Sequence, residues 1–307
     1  MKTRLFPYLL PDVQVKDAGP FLECPISQPS VGLKANIYYF GHPDWAKEYL
    51  TYCHWDQAFK ARWKAALGDW TDKIVVDIGC GPGNIFASLQ GNPKLLIGVD
   101  VAPKSLELAK EYGYVPILAD ASQLPFISGF ADIVTLNAAL HHCEDMAKVL
   151  KEAARLVKPG GILVTDHDPQ YSSWNYKGLA KILWNGRLIY YRLIGHSFHK
   201  SRDQQLWALA CEIHHKPGHG VTTSFFQEAL KPLGFDVAVF PHNHVAGAEV
   251  LRGNKGKAEF KYRLGNLLSG RNPNADKSAL SLMCVARKAE VKIQENEPAY
   301  AQVSGLD

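Results

Sequence analysis

Hydrophobic and polar positions divide the chain into stretches of different periodicity. From Lys73 onward, apolar runs at Ile74–Ile78, Leu95–Asp100, Val115–Ala119, Ile133–Asn137 and Ile162–Asp166 alternate with helical periodicity near Ile85–Leu89, Pro103–Glu111 and Met146–Leu156. Runs this short and this apolar read as strands buried on both faces, and their alternation with helices predicts an α/β, doubly wound, mostly parallel sheet. Ahead of that region, residues 1–40 are rich in Pro, Gly and aromatics with little periodicity, which predicts an irregular arm. Residues 43–67 carry Trp45, Tyr49, Tyr52, Trp55, Phe59, Trp63 and Leu67 at mixed helical spacing. Such a stripe reads first as core and second as substrate contact.

After Asp168 the alternation stops. Residues 169–220 read as a helical insertion, with helices over about 177–194 and 201–214 and a concentration of rings: Tyr171, Trp174, Tyr176, Trp184, Tyr190, Tyr191, Phe198 and Trp207. The α/β pattern resumes with a helix at Thr223–Leu230, stopped by Pro232 and Gly234, then strands at Asp236–Pro241 and Ser281–Arg287. The expected organisation is therefore an N-terminal arm with helices over 1–69, a core over 70–168, a lid insertion over 169–220, the rest of the core over 221–289 with a basic Gly/Asn-rich insertion at 246–277, and a polar tail over 290–307.

Composition narrows little. With 47% hydrophobic and 21% charged residues the chain is an ordinary globular protein, and a formal net charge of +4 with dispersed basic residues gives no electrostatic argument for a polyanion partner. Six scattered cysteines without a C-x-x-C pair imply reduced thiols and a cytoplasmic setting, and no apolar run of 18 residues predicts a membrane span.

The chemistry concentrates at the end of the first core strand. Val75-Val76-Asp77-Ile78-Gly79-Cys80-Gly81-Pro82-Gly83-Asn84 closes a buried run with three alternate glycines, and Asp100 answers it after the second strand. Glycines here accept positive φ and let a ligand approach the backbone, while an acid about 20 residues on can take both hydroxyls of a ribose, so an adenosine cofactor is expected. A dinucleotide loop would carry a third small residue where Asn84 stands, and Asp77 would repel a pyrophosphate. A carboxylate there suits a ligand with an ammonium group instead.

The D-x-G-x-G-x-G loop resembles motif I of class I S-adenosylmethionine-dependent methyltransferases of the methyltransferase type 11 kind. The likeness continues through Asp120-Ala121, Asn137-Ala138-Ala139-Leu140-His141-His142 and Pro159-Gly160-Gly161, covering roughly residues 70–168. It implies a Rossmann-like sheet of seven strands and S-adenosyl-L-methionine as cofactor, with S-adenosyl-L-homocysteine as product. Cofactor contacts are expected from Asp77, Gly79, Cys80, Gly81, Gly83, Asp100, Val101, Asp120, Ala121 and Asn137, with Asp120 and Ala121 at the adenine and Asn137 at the methionine end.

Methyl transfer asks mainly for an in-line approach, but an oxygen nucleophile also needs a base, and imidazole is the side chain suited to that near neutral pH. His141, His142 and His167 are the candidates, with Trp174, Tyr191 and His215 as substrate contacts. The pair in His215-Lys-Pro-Gly-His219 is split by Pro217, and no carboxylate is read at ligand spacing beside it, so no metal is expected. The leading expectation is O-methylation of a small natural-product or lipid-like alcohol, phenol or carboxyl group, by a monomer or homodimer. C-methylation of a quinone- or sterol-like substrate is an alternative. A tRNA or rRNA methyltransferase is another, less favoured because no N/D-P-P-Y/F tetrapeptide stands at Asn137-Ala138-Ala139-Leu140 and only Lys255, Lys257, Lys261, Arg263 and Arg271 offer a basic surface.

Overall fold

The computed structural model describes residues 2–26, 28–42, 56–171, 173–195, 201–216 and 218–290. In chain order its elements are α1 (Lys2–Leu5), β1 (Lys16–Asp17), β2 (Leu22–Glu23), α2 (Val31–Phe40), α3 (Gln57–Leu67), β3 (Ile74–Ile78), α4 (Asn84–Leu89), β4 (Leu95–Asp100), α5 (Pro103–Glu111), β5 (Val115–Leu118), β6 (Ala131–Asn137), α6 (Met146–Leu156) and β7 (Val157–Pro169). Residues 169–220 supply α7 (Gly178–Leu193) and α8 (Arg202–Cys211), followed by α9 (Thr223–Leu230), β8 (Phe235–His242), α10 (Phe260–Leu268) and β9 (Ser281–Lys288).

These strands form one sheet in the order β1-β2-β5-β4-β3-β6-β7-β9-β8. The seven strands expected are all present, and the sheet has nine among the described residues because the arm adds β2, parallel to β5, and β1, antiparallel to β2. Two-residue strands leave no periodicity to read, which is why the arm looked irregular. Strand β9 runs antiparallel to both β7 and β8, while β3, β4, β5, β6 and β7 are parallel. Strand order reverses between β3 and β6, so a crevice opens at the carboxyl ends of these strands.

Val75, Val76, Ile97, Val134 and Val164 are buried on the central strands, and helices cover both faces. Helix α6 starts where Asp145 caps the Lys148 N–H and turns Val149, Leu150, Ala153 and Ala154 inward. Helix α3 starts at Asp56, whose carboxylate accepts from Ala58 N and Phe59 N. Its Phe59, Trp63 and Leu67 join a core cluster with Ile85, Leu106 and Met283, so the described half of the aromatic stripe is core. Trp45, Tyr49, Tyr52, Trp55 and Phe198, like the tail beyond 290, lie outside the described residues. The insertion at 246–277 contains α10 and pairs several of its cations, Lys255 with Asp276 and Lys261 with Glu259. No described helix is long and apolar enough to cross a membrane.

Candidate active site

A cavity of about 470 Å³ lies at the carboxyl ends of β3, β4, β5 and β6. Gly79 and Gly81, with φ of 68° and 51°, turn the chain out of β3. A Cβ on Gly79 would come within 2.7 Å of the Ala139 Cβ, so both conformation and space require glycine there. A Cβ on Gly81 would meet nothing within 4 Å, which leaves room for a ligand against the backbone. Asp100 closes the turn: its carboxylate accepts from Gly81 N and from Ala102 N, each at 2.8 Å, and keeps lone pairs for a ligand. Val101, Asp120, Ala121, Asn137, Ala138 and Ala139 line the same cavity. Asp120 Oδ1 accepts from Ser122 N at 2.8 Å, forming an Asx turn.

The arm closes the cavity from the other side. Leu33, Asn36 and Phe40 of α2 line it, with Asn84 from α4. The side-chain oxygens of Asn36 and Asn84 are buried without a hydrogen-bond partner among the described residues, two acceptors in a cavity lined by the carboxylates of Asp100, Asp120, Glu144 and Asp145 and one cation, Lys148. Unsatisfied buried acceptors beside carboxylates suit a cationic ligand, and a sulfonium with an ammonium group meets that description.

Three sequence expectations require correction here. Asp77 is 2% exposed and absent from the lining of this cavity; Tyr114 and Thr135 donate to its carboxylate at 2.8 Å each, so it braces β3 instead of meeting an ammonium group. Burial pushes its pKa up to about 7 against the lowering effect of those two hydrogen bonds. Cys80 is also buried, its Sγ packed where a Cβ on Gly98 would be and bonded back to Gly81 O. Gly83 lies outside the cavity lining and enters α4 at φ 91°, where a Cβ would strike the Tyr114 ring at 2.9 Å.

A second chamber of about 220 Å³ adjoins the first, sharing Asn137 and Ala138, and is lined by His141, His167, His215, His244, Asp56, Phe59, Trp174 and Glu212. His141 sits on the turn after β6, its Nδ1 2.8 Å from Asp168 Oδ1 and its Nε2 3.4 Å from Glu212 Oε2. Burial works against charge on this ring, but the hydrogen bonds to Asp168 and Glu212 outweigh it and raise the pKa to about 10. His142 belongs to the other cavity; its Nδ1 lies 2.9 Å from Cys211 O, and burial followed by the neighbouring His141 charge lowers its pKa to about 4. His167 has a left-handed backbone, φ 63°, and its Nδ1 is 3.3 Å from Asn137 Oδ1. Trp174 forms part of the chamber wall, its ring edge-on to His215 with centroids 4.5 Å apart. Tyr191, in contrast, stands on α7 and lines neither cavity.

Arg62 and Glu212, which sequence reasoning missed, complete the site. Asp166 binds Arg62 Nε at 2.8 Å and His242 Nε2 at 2.6 Å behind the chamber; burial opposes its charge, but Arg62 and His242 hold its pKa well below the usual carboxylate range. Glu212 stands three residues before His215 and 3.0 Å from its Nδ1, which corrects the reading that no carboxylate lies at ligand spacing there. The E-x-x-H spacing is visible in the sequence, whereas the approach of His141 from 71 residues away is not.

Known proteins are similar to this chain over the same core. Residues 76–165 match the family model described as a methyltransferase domain. The demethylmenaquinone methyltransferase of Bacillus licheniformis is 30% identical over 166 residues, 50% of this chain and 68% of that protein. The ubiquinone biosynthesis O-methyltransferase of Nitrosomonas europaea is 32% identical over 105 residues, 31% of this chain, and the match spans 43% of its own length. A solved S-adenosylmethionine-dependent methyltransferase from Mesorhizobium loti is 20% identical with a TM-score of 0.48, covering 74% of this chain and 95% of that one. With the nucleotide-type crevice and its glycine turn in place, the class is that of S-adenosylmethionine-dependent enzymes. The chain belongs to the class I S-adenosylmethionine-dependent methyltransferase family.

Proposed function

We propose that this protein methylates a hydroxyl oxygen of a small organic acceptor seated in the histidine-lined chamber. The observation that carries the reading is that Asn137 and Ala138 line both cavities, so a partly aromatic, histidine-lined pocket adjoins the cofactor crevice. Asp100 would hold the ribose, Asp120 and Ala121 the adenine, and Gly79 and Gly81 the backbone side of the cofactor. Asn36 and Asn84 would offer their free oxygens to its cationic end. Bound S-adenosylmethionine supplies a methyl group already activated on sulfur and departs as S-adenosylhomocysteine.

The protein's remaining task is to orient the acceptor and take one proton. His167 is the base this geometry favours. The nitrogens of His141 face Asp168 and Glu212, and His142 turns Nδ1 to Cys211 O beside the cofactor cavity. His167 lines the chamber with its Nδ1 3.3 Å from Asn137 Oδ1 and 3.4 Å from Asp166 Oδ2, so Nε2 is the nitrogen assigned to the proton. As the acceptor oxygen bonds to the methyl carbon, its proton passes to that nitrogen. A strained left-handed backbone at a non-glycine residue is a feature that clusters at functional sites. Relatives named as O-methyltransferases support oxygen as the acceptor atom.

Methyl-labelled S-adenosylmethionine, the purified protein and a cell extract provide the test, with the labelled product identified by mass spectrometry. An O-methyl product is expected. His167→Ala should lower its formation by about 10²–10⁴-fold while calorimetric cofactor affinity is kept. Asp100→Ala should weaken that affinity by about 2–4 kcal/mol, as the loss of charged hydrogen bonds does. Label on carbon, or wild-type turnover in the His167 variant, overturns the assignment.

A further inference from the structure

We propose that His141, Glu212 and His215 form a divalent-cation site of zinc type, with one coordination position open to the acceptor chamber. Two imidazoles and a carboxylate make a borderline N/O donor set of the kind that suits zinc-like ions and leaves a fourth place for an exchangeable oxygen. Their donor atoms lie within 4.8 Å of one another. Glu212 Oε2 stands 3.4 Å from His141 Nε2 and 3.0 Å from His215 Nδ1. Ligand bonds of about 2.0–2.1 Å give tetrahedral edges of roughly 3.3 Å, between those two separations. Two of the three edges therefore already stand at coordination spacing, and the third, between the two imidazoles, lies within 4.8 Å.

The surroundings are arranged as an outer shell would be. Asp168 is fully buried and takes the His141 backbone N–H at 3.0 Å as well as Nδ1 at 2.8 Å, which fixes the tautomer and leaves Nε2 as the ligand atom. The segment carrying Glu212 and His215 is locked to the His141 turn by His214 N donating to His141 O at 2.9 Å. The cluster is under-satisfied: His215 Nε2 and Asp168 Oδ2 are buried and have no hydrogen-bond partner among the described residues. All three ligating residues line the acceptor chamber, so the fourth position faces the acceptor. An oxygen bound there would be made more acidic by the cation before methylation. That last role rests on the acceptor reading above, while the site itself does not.

Chelator-treated, full-length protein titrated with zinc in a calorimeter, and with cobalt in a visible spectrometer, tests the site. One equivalent of each metal should bind, and cobalt should give the intense absorption of a tetrahedral centre. Glu212→Gln and His215→Ala should each weaken binding at least tenfold, whereas His219→Ala, outside the cluster, should leave it unchanged. Each variant is checked for an unaltered cofactor titration, which separates loss of the metal site from loss of the fold. Absence of stoichiometric binding, binding indifferent to Glu212→Gln, or the weak spectrum of an octahedral cobalt ion would each overturn the proposal. Label transfer with and without chelator then reads the acceptor role separately: unchanged transfer in protein that binds one metal removes the role and leaves the site.

Discussion

Single residues show where a sequence speaks and where it falls silent. The glycines of the β3 turn were legible because their demand is local, a positive φ at Gly79 and Gly81, whereas the hydrogen bond that Asp100 accepts from Ala102 N was not part of what the sequence was read to say. Asp77 was not legible, because strands buried on both faces give no parity to say which way a side chain points. Its partners Tyr114 and Thr135 come from 37 and 58 residues away. A pH test follows from its burial. A carboxyl group whose folded pKa is raised to about 7 binds its proton more tightly folded than unfolded, so stability falls as pH rises from the unfolded value near 4 through 7 and levels off above. Asp77→Asn, which cannot ionise, should flatten the thermal midpoint across that window. A variant whose midpoint still falls with the wild-type slope would place the titration elsewhere.

At the scale of elements, legibility followed length. Helices α6, α7 and α9 were visible because each repeats its period several times, and the five parallel core strands because each is a short, nearly unbroken apolar run, with Pro232 and Gly234 marking the end of α9. Strands β1 and β2 were too short to see, and the joining of arm to lid is a tertiary event with no local signal. Helices α2 and α8 meet through Ala35, Tyr39, Ala208 and Cys211, while Asn36 of α2 donates to His142 O at 3.0 Å. The arm thereby brings Leu33, Asn36 and Phe40 to the cofactor cavity with α8 packed against it. Ala208→Glu would force a carboxylate into this small apolar contact, which is costly without a partner. Cofactor affinity should drop about tenfold or more by calorimetry, with the core melting transition nearly unmoved. Unchanged affinity would mean that α2 keeps its place without the lid.

For the whole molecule, the connection that matters runs through one buried ion pair. Arg62 on α3 is fully buried, donates from Nε to Asp166 on β7, and reaches the carbonyls of His244 and Ala246 beyond β8. Asp166 in turn receives His242 and the backbone N–H of His167, so helix, central sheet and antiparallel edge are joined behind the histidine-lined chamber. None of this was readable beforehand: Arg62 sits in an aromatic helical stripe and meets Asp166 across 104 residues. A buried pair adds little over a well-packed apolar replacement of both members, but removing one member strands the other in a poor solvent. Arg62→Met should accordingly cost about 3–5 kcal/mol of unfolding free energy, read as a lower urea midpoint. The damage should also reach function selectively, since His167 and His244 are set by this network whereas Asp100 and the glycine turn are not. Turnover should fall more than cofactor affinity. A loss below about 1 kcal/mol, the size of an exposed ion pair, would show that the bridge is not what ties the three parts of the fold together.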